Sequence, residues 1–141
     1  MSPTLYEPTD EEVRSGALGL QLRQFNYTHI GEYPQQHNIR FNAKDEQAAE
    51  PLVGGIRAFV FMGWLDVEVL WVAQPARGAG LGSRLLKQTE NRAQALGASN
   101  ARLTTFDWQA EVFYARHGYT VFARMDNYFR GRDLLMMKKA L

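Results

Sequence analysis

The chain has 141 residues, of which 45% are hydrophobic and 22% charged, and it has no cysteine. That fits one domain with an ordinary soluble core, and it excludes disulfides, a thiolate nucleophile and Cys-ligated zinc. A formal net charge of +1 gives none of the basic field of a nucleic-acid binder, and no run of about 18 apolar residues offers a membrane span.

The first twelve residues are acidic and lack the apolar run of a signal peptide, so a cytoplasmic protein is expected. Thr9-Asp10-Glu11-Glu12 has the Thr-x-x-Glu form of a capping box, which predicts a helix from there toward Phe25, weakened by Gly16 and Gly19. Residues 26–36, rich in Asn, Tyr, Gly and Pro, read as a loop. Alternation around Ile39 and Phe41 predicts a strand over 37–43, and Val53, Ile56, Phe59 and Phe61 predict another over 52–62. Residues 65–72 form a third strand. It alternates first and then turns continuously apolar, which predicts burial of its second half on both faces.

Glycines follow, and from Leu81 the apolar spacing becomes helical until Gly97 closes the helix. A strand over 101–106, a short helix over 109–117 and strands over 119–125 and 133–138 complete the chain. The order predicts one mixed α/β domain spanning 1–141.

The junction between Val72 and Leu85 carries the chemistry. There a strand ends, the loop Arg77-Gly78-Ala79-Gly80-Leu81-Gly82 follows, and a helix begins. A helix N-terminus has unpaired N–H groups and partial positive charge, glycines let an anion approach the backbone, and Arg77 can reach a phosphate. The loop is not a P-loop, because no Lys-Ser or Lys-Thr follows it. Nor is it a dinucleotide turn, because Ser83 stands where the last glycine belongs.

The form Arg77-x-x-Gly80-x-Gly82 resembles the pyrophosphate loop of the GNAT acetyltransferase superfamily. Leu70-Trp71-Val72-Ala73-Gln74-Pro75 before it and Leu81-Gly82-Ser83-Arg84-Leu85-Leu86 after it are similar too. A second segment, Phe113-Tyr114-Ala115-Arg116-His117-Gly118-Tyr119, resembles the family's Phe-Tyr-x-x-x-Gly-Phe/Tyr motif at the family's spacing. The likeness is good over residues 52–125 and weak over 1–36.

The resemblance implies the GNAT fold, a mixed twisted sheet with a splayed central strand pair flanked by helices. It also implies acetyl-CoA as co-substrate, entering between strands 65–72 and 101–106, with no metal. The pantetheine arm would pair with the backbone of Leu70, Trp71 and Val72, and the amides of residues 77–82 would hold the pyrophosphate. Tyr114 matches the family's usual acid, which protonates the departing thiolate. The alternative for Tyr114 is a packing aromatic of the helix.

An amine must be neutral to attack a thioester, so a base is needed. Glu68 is the first candidate, with Asp66 on the same face of the strand; either, acting through water, would serve, and both could be plain solvent-facing residues. Asp107 stands where the family often has an Asn that touches pantetheine, so a cofactor contact there would be lost or made differently.

Trp108, beside Asp107, is the best acceptor-site candidate of the three tryptophans. His29, His37 and His117 lack metal-ligand spacing. The expected activity is transfer of an acetyl group to a small-molecule amine by direct attack, with no nucleic-acid or membrane partner. The rival reading is a GNAT fold that binds acyl-CoA as a sensor and catalyses nothing. Family members often dimerise through late strands, and Val121-Phe122 and Leu134-Leu135-Met136-Met137 are apolar enough for a homodimer.

Overall fold

The computed structural model describes residues 2–141. They form two units divided between Pro34 and Gln35. In the first, α1 (Asp10–Arg14) opens with the expected capping box: the Glu12 N–H donates to Thr9 Oγ1 at 3.2 Å, and the Thr9 N–H donates to Glu12 Oε1 at 3.3 Å. The single predicted helix is split at Ser15–Gly16, where Gly16 takes a left-handed φ of 71°. It resumes as α2 (Ala17–Ile30), so residues 26–30, expected as loop, are helical. Neither Gly nor Pro occurs from Leu20 to Ile30, and the helix runs until Gly31. No side chain of α1 or α2 is buried.

The second unit is a six-stranded sheet with two helices. Its strands are β1 (His37–Lys44), β2 (Leu52–Phe61), β3 (Trp64–Val72), β4 (Asn100–Phe106), β5 (Thr120–Phe129) and β6 (Arg132–Ala140). A 3-10 turn (Gln74–Ala76) and α3 (Leu81–Ala95) separate β3 from β4, and α4 (Glu111–Arg116) separates β4 from β5. The spatial order is β1-β2-β3-β4-β6-β5; β3 and β4 are parallel and every other pair is antiparallel. The parallel neighbours β3 and β4 are joined through α3, as parallel pairing requires, and the α4 connection from β4 to β5 passes over the position that β6 fills.

Register explains the core. Ile39 pairs with Ala58, Leu65 with Val60 and Ala101, and Leu103 with Val67 and Met137. These apolar residues therefore share one face of the sheet, and Leu85, Leu86 and Ala93 of α3 pack into the same buried cluster. Each side chain of this size contributes about 1.5–3 kcal/mol by leaving water.

One expectation fails informatively. The second half of β3 is the exposed half: Val69 is 54% and Trp71 47% accessible, while Leu65 and Val67 are buried. Two features cause this. Arg57 pairs with Val69 and Ala58 with Val67, so Glu68 is the extra residue of a β-bulge. And pairing with β4 ends at Val67–Leu103, although both strands continue. Continuous apolarity here marks an open edge rather than a covered strand.

Candidate active site

The divergence of β3 and β4 beyond Val67 and Leu103 opens a gap in the sheet. The Ala73 N–H donates to the Val53 carbonyl at 2.8 Å, toward β2. Backbone groups alternate sides along an antiparallel strand, so Val72 and Leu70 direct theirs to the edge that β4 has left. Trp71, between them, turns its backbone to β2 and also lines the cavity described below. Of the three expected pairing residues, Leu70 thus turns its backbone N–H and carbonyl to that edge and Val72 its N–H, while the Val72 carbonyl accepts from Arg77.

At the end of this edge the chain turns into α3. Gly78 and Gly80 have φ of +84° and +83°, and a Cβ built on either meets no heavy atom within 4 Å. Both glycines are therefore required by backbone conformation and border open space. Gly80 is the N-cap of α3 without a side-chain cap, which leaves the first N–H groups of the helix without intrahelical partners. Gly82 differs: a Cβ there would come within 3.4 Å of the Phe113 ring, so this glycine lets α4 lie against the first turn of α3. Ser83 Oγ and His117 Nε2, 2.9 Å apart, tie the same two elements.

The cradle and the gap open into one cavity of about 700 Å³. Leu70, Trp71 and Val72 line one part of it, residues 76–78 and 80–83 another, and Trp108, Gln109, Ala110, Phe113, Tyr114 and Arg116 the rest. Ala79 alone of the predicted loop does not line it. Arg77 does, but its Nε donates to the Val72 carbonyl at 2.9 Å, bracing the loop against the strand.

Tyr114 is 7% accessible and lines the cavity. Burial pushes its phenol up to about 12. Among the described residues the Tyr114 hydroxyl has no hydrogen-bond partner and is not fully buried. Trp108 stacks on Phe106 with centroids 4.3 Å apart and planes 12° from parallel, and remains half exposed at the cavity wall.

The acidic candidates separate. Asp66 Oδ2 is 2.8 Å from the Arg102 guanidinium across the β3–β4 pair. Glu68, the bulge residue, is exposed and has no ion pair or hydrogen bond among the described residues. It stands next to Val67, where the strands part. Neither side chain lines the cavity. Asp107 does not line it either. Oδ1 accepts from Arg132 Nε at 2.8 Å and Oδ2 from the Asp133 N–H at 3.1 Å. Those two donors, the backbone one first, hold its carboxyl below the usual range. Asp107 is thus a brace between the end of β4 and the start of β6.

The family model described as acetyltransferase (GNAT) domain matches residues 38–121. The chain belongs to the GNAT acetyltransferase family. It is an acetyl-CoA-dependent N-acetyltransferase, with the mixed α/β fold of that family. A blasticidin-S acetyltransferase of Streptomyces morookaense is 42% identical over 91 residues, covering 64% of this chain and 67% of that protein. An acetyltransferase of Agrobacterium fabrum is 26% identical over 140 residues, covering 99% of this chain and 98% of that protein. The crystal structure of an acetyltransferase from Bacillus cereus superposes with a TM-score of 0.87 at 23% identity, over 99% of this chain and 98% of that one.

Besides Ala76 and Ala110, four larger or polar residues that sequence reasoning gave no site role line the GNAT cavity: Ser83, Gln109, Phe113 and Arg116. Gln109 Oε1 accepts from the Phe106 N–H at 2.7 Å, fixing the turn that carries Trp108. Two of the four had a legible signal, since Phe113 and Arg116 lie inside the Phe-Tyr-x-x-x-Gly motif. The glycine cradle, the free edge of β3 and a cavity whose only charged lining residues are arginines suit a long ligand with an anionic end.

Proposed function

We propose that this enzyme acetylates a small-molecule amine, with the cofactor held along the free edge of β3 and in the cradle of residues 77–82. Bound acetyl-CoA supplies an electrophilic thioester carbon and a thiolate leaving group. Leu70 would accept and donate backbone hydrogen bonds along the pantetheine arm, and the Val72 N–H would donate one, its carbonyl being held by Arg77. The amides of Gly78, Gly80, Leu81 and Gly82, with Arg77, would hold the pyrophosphate.

Tyr114 is the proposed acid, and the unpartnered hydroxyl of this buried residue in the cavity lining is the observation that carries the catalytic reading. With its pKa near 12, the phenol keeps its proton throughout the neutral range and is available as a donor to a developing thiolate. A non-catalytic acyl-CoA sensor has no use for such a group.

Glu68 is the proposed base, acting through water. Its carboxylate is unpaired and sits where the strands part, whereas the Asp66 carboxylate is neutralised by Arg102. Trp108 would form one wall of the acceptor site. The small-molecule class rests on this aromatic wall and on the relative from Streptomyces morookaense, whose name gives blasticidin S as its acceptor.

The same reading takes residues 1–141 as one acetyltransferase domain in the cytoplasm; among the described residues no helix is long and apolar enough to cross a membrane. It also places a homodimer contact on β5. This is the edge strand and exposes Val121 and Phe122, whereas Leu135 and Met137 of β6 are buried in the sheet. Light scattering on the purified protein tests that contact.

The deciding experiment is acetyl-CoA-dependent thiol release with a panel of small amines, blasticidin S among them, beside peptides bearing free N-termini and lysines. Turnover of one or more small amines with none of the peptides is expected. Preferential peptide turnover would overturn the acceptor class, and no turnover with any amine despite tight acetyl-CoA binding would favour the sensor.

A further inference from the structure

Charge in the cavity is unevenly used. Its lining residues include two arginines and no carboxylate, lysine or histidine. Arg77 is committed, since its Nε donates to the Val72 carbonyl at the strand end of the loop. Arg116 is uncommitted. It is exposed and, among the described residues, makes no ion pair or hydrogen bond. A solvated arginine on an ordinary surface would mean little, but this one lines the cavity and its position is held. Its neighbour His117 meets Ser83 in the first turn of α3, and Phe113, one helical turn earlier, packs against Gly82.

The cavity therefore has a direction along α4. Tyr114 is buried and marks the inner part, while Arg116 is exposed and marks the mouth. The cofactor has a matching polarity: its thioester is uncharged and its nucleotide end is the hydrated, anionic one. That end carries two separate anions, the pyrophosphate and a ribose 3′-phosphate. The helix N-terminus and the glycine loop provide N–H groups for the first. A phosphate monoester with charge near −2 is left without a partner in that assignment. A guanidinium at the mouth, beside the cradle but separate from it, supplies the planar fork that phosphate oxygens accept from.

We propose that Arg116 recognises the 3′-phosphate of CoA and gives the enzyme its preference for CoA over 3′-dephospho-CoA. The proposal rests on the assignment of residues 77–82 to the pyrophosphate. Arg77 and Arg116 then have distinct duties: Arg77 stiffens the loop for every ligand with a pyrophosphate, and Arg116 reads the one group that distinguishes CoA from its dephospho form.

Calorimetric titration of the protein, without acceptor, with CoA and with 3′-dephospho-CoA tests this in the wild type, Arg116→Gln and Arg77→Gln. The wild type is expected to bind CoA about tenfold or more tightly than the dephospho form, a difference that shrinks as salt is raised. Arg116→Gln should lose that preference by weakening CoA alone, and Arg77→Gln should weaken both ligands and keep the preference. Equal weakening of both ligands by Arg116→Gln would overturn the proposal, as would a wild type that binds the two ligands alike. Failure of the wild type to bind either ligand would overturn the underlying pyrophosphate assignment instead. Arg116 is exposed, and its circular dichroism and thermal midpoint should match the wild type.

Discussion

Tyr119 Oη donates a 2.8 Å hydrogen bond to Oε2 of Glu90, a carboxylate only 2% accessible in the middle of α3. Lys139 Nζ donates to both oxygens of the same carboxylate at 3.0 Å. One buried charge thus joins α3, the residue after the α4 turn and β6. It lies outside the cavity, so it bears on stability rather than on chemistry.

Glu90→Ala is expected to destabilise the protein by about 3–5 kcal/mol, because it leaves the Lys139 charge and the buried Tyr119 hydroxyl without their acceptor. Tyr119→Phe should cost less, about 1–2 kcal/mol, since the Lys139 pair survives. Urea unfolding midpoints check the order; a Glu90→Ala protein as stable as the wild type would show the network to be energetically idle.

Gly80→Ala separates two effects of one glycine. Its φ of +83° strains any L side chain by about 1–2 kcal/mol, yet the added Cβ meets no protein atom. A modest stability loss is therefore expected together with a weakened affinity for CoA, because the methyl occupies the anion's approach. Gly80→Glu, with a negative charge facing the pyrophosphate, should abolish binding. Unchanged affinity in isothermal titration of Gly80→Glu would remove the cradle from the cofactor site.

Tyr114→Phe should lower kcat by about 10²-fold or more and leave the acetyl-CoA dissociation constant within about twofold, as expected for removal of a general acid that contributes little to ground-state binding. Stopped-time thiol release and titration report the two quantities separately. Full activity would return Tyr114 to the role of a packing aromatic.

The same phenol predicts an alkaline limit. An unfolded tyrosine ionises near 10, and burial holds Tyr114 up to about 12 and pushes Tyr119 up as well, with Glu90 adding to the latter. Between those values the unfolded chain has released protons that the folded chain still binds. Stability is therefore fully present below about pH 10 and falls as pH rises toward 12, by about 1.4 kcal/mol per pH unit for each such tyrosine. Tyr114→Phe should show a shallower fall than the wild type when denaturation midpoints are compared across that range. Parallel curves would mean that Tyr114 ionises in the native state as readily as in water.

Sequence alone determined the order of elements in the second unit, the glycine loop and the Phe-Tyr-x-x-x-Gly segment. Each depends on neighbours in the chain: apolar periodicity, glycine φ at a strand-to-helix turn and the spacing of two motifs. It misjudged what depends on neighbours in space. The bulge at Glu68 and the departure of β4 after Leu103 turn the most apolar stretch of β3 outward, and no local pattern encodes which strand is absent from an edge. At Asp107 the sequence left open how a cofactor contact would be made, and only β6 brings Arg132 and the Asp133 N–H to its carboxylate, from 25 and 26 residues away. Arg116 had no role of its own in the motif, and α4, held to α3 through Ser83 and His117, puts it in the cavity lining. Chain chemistry chose the residues, and pairing between distant strands and helices decided which of them face the ligand, because burial and charge partners are properties of the packed whole.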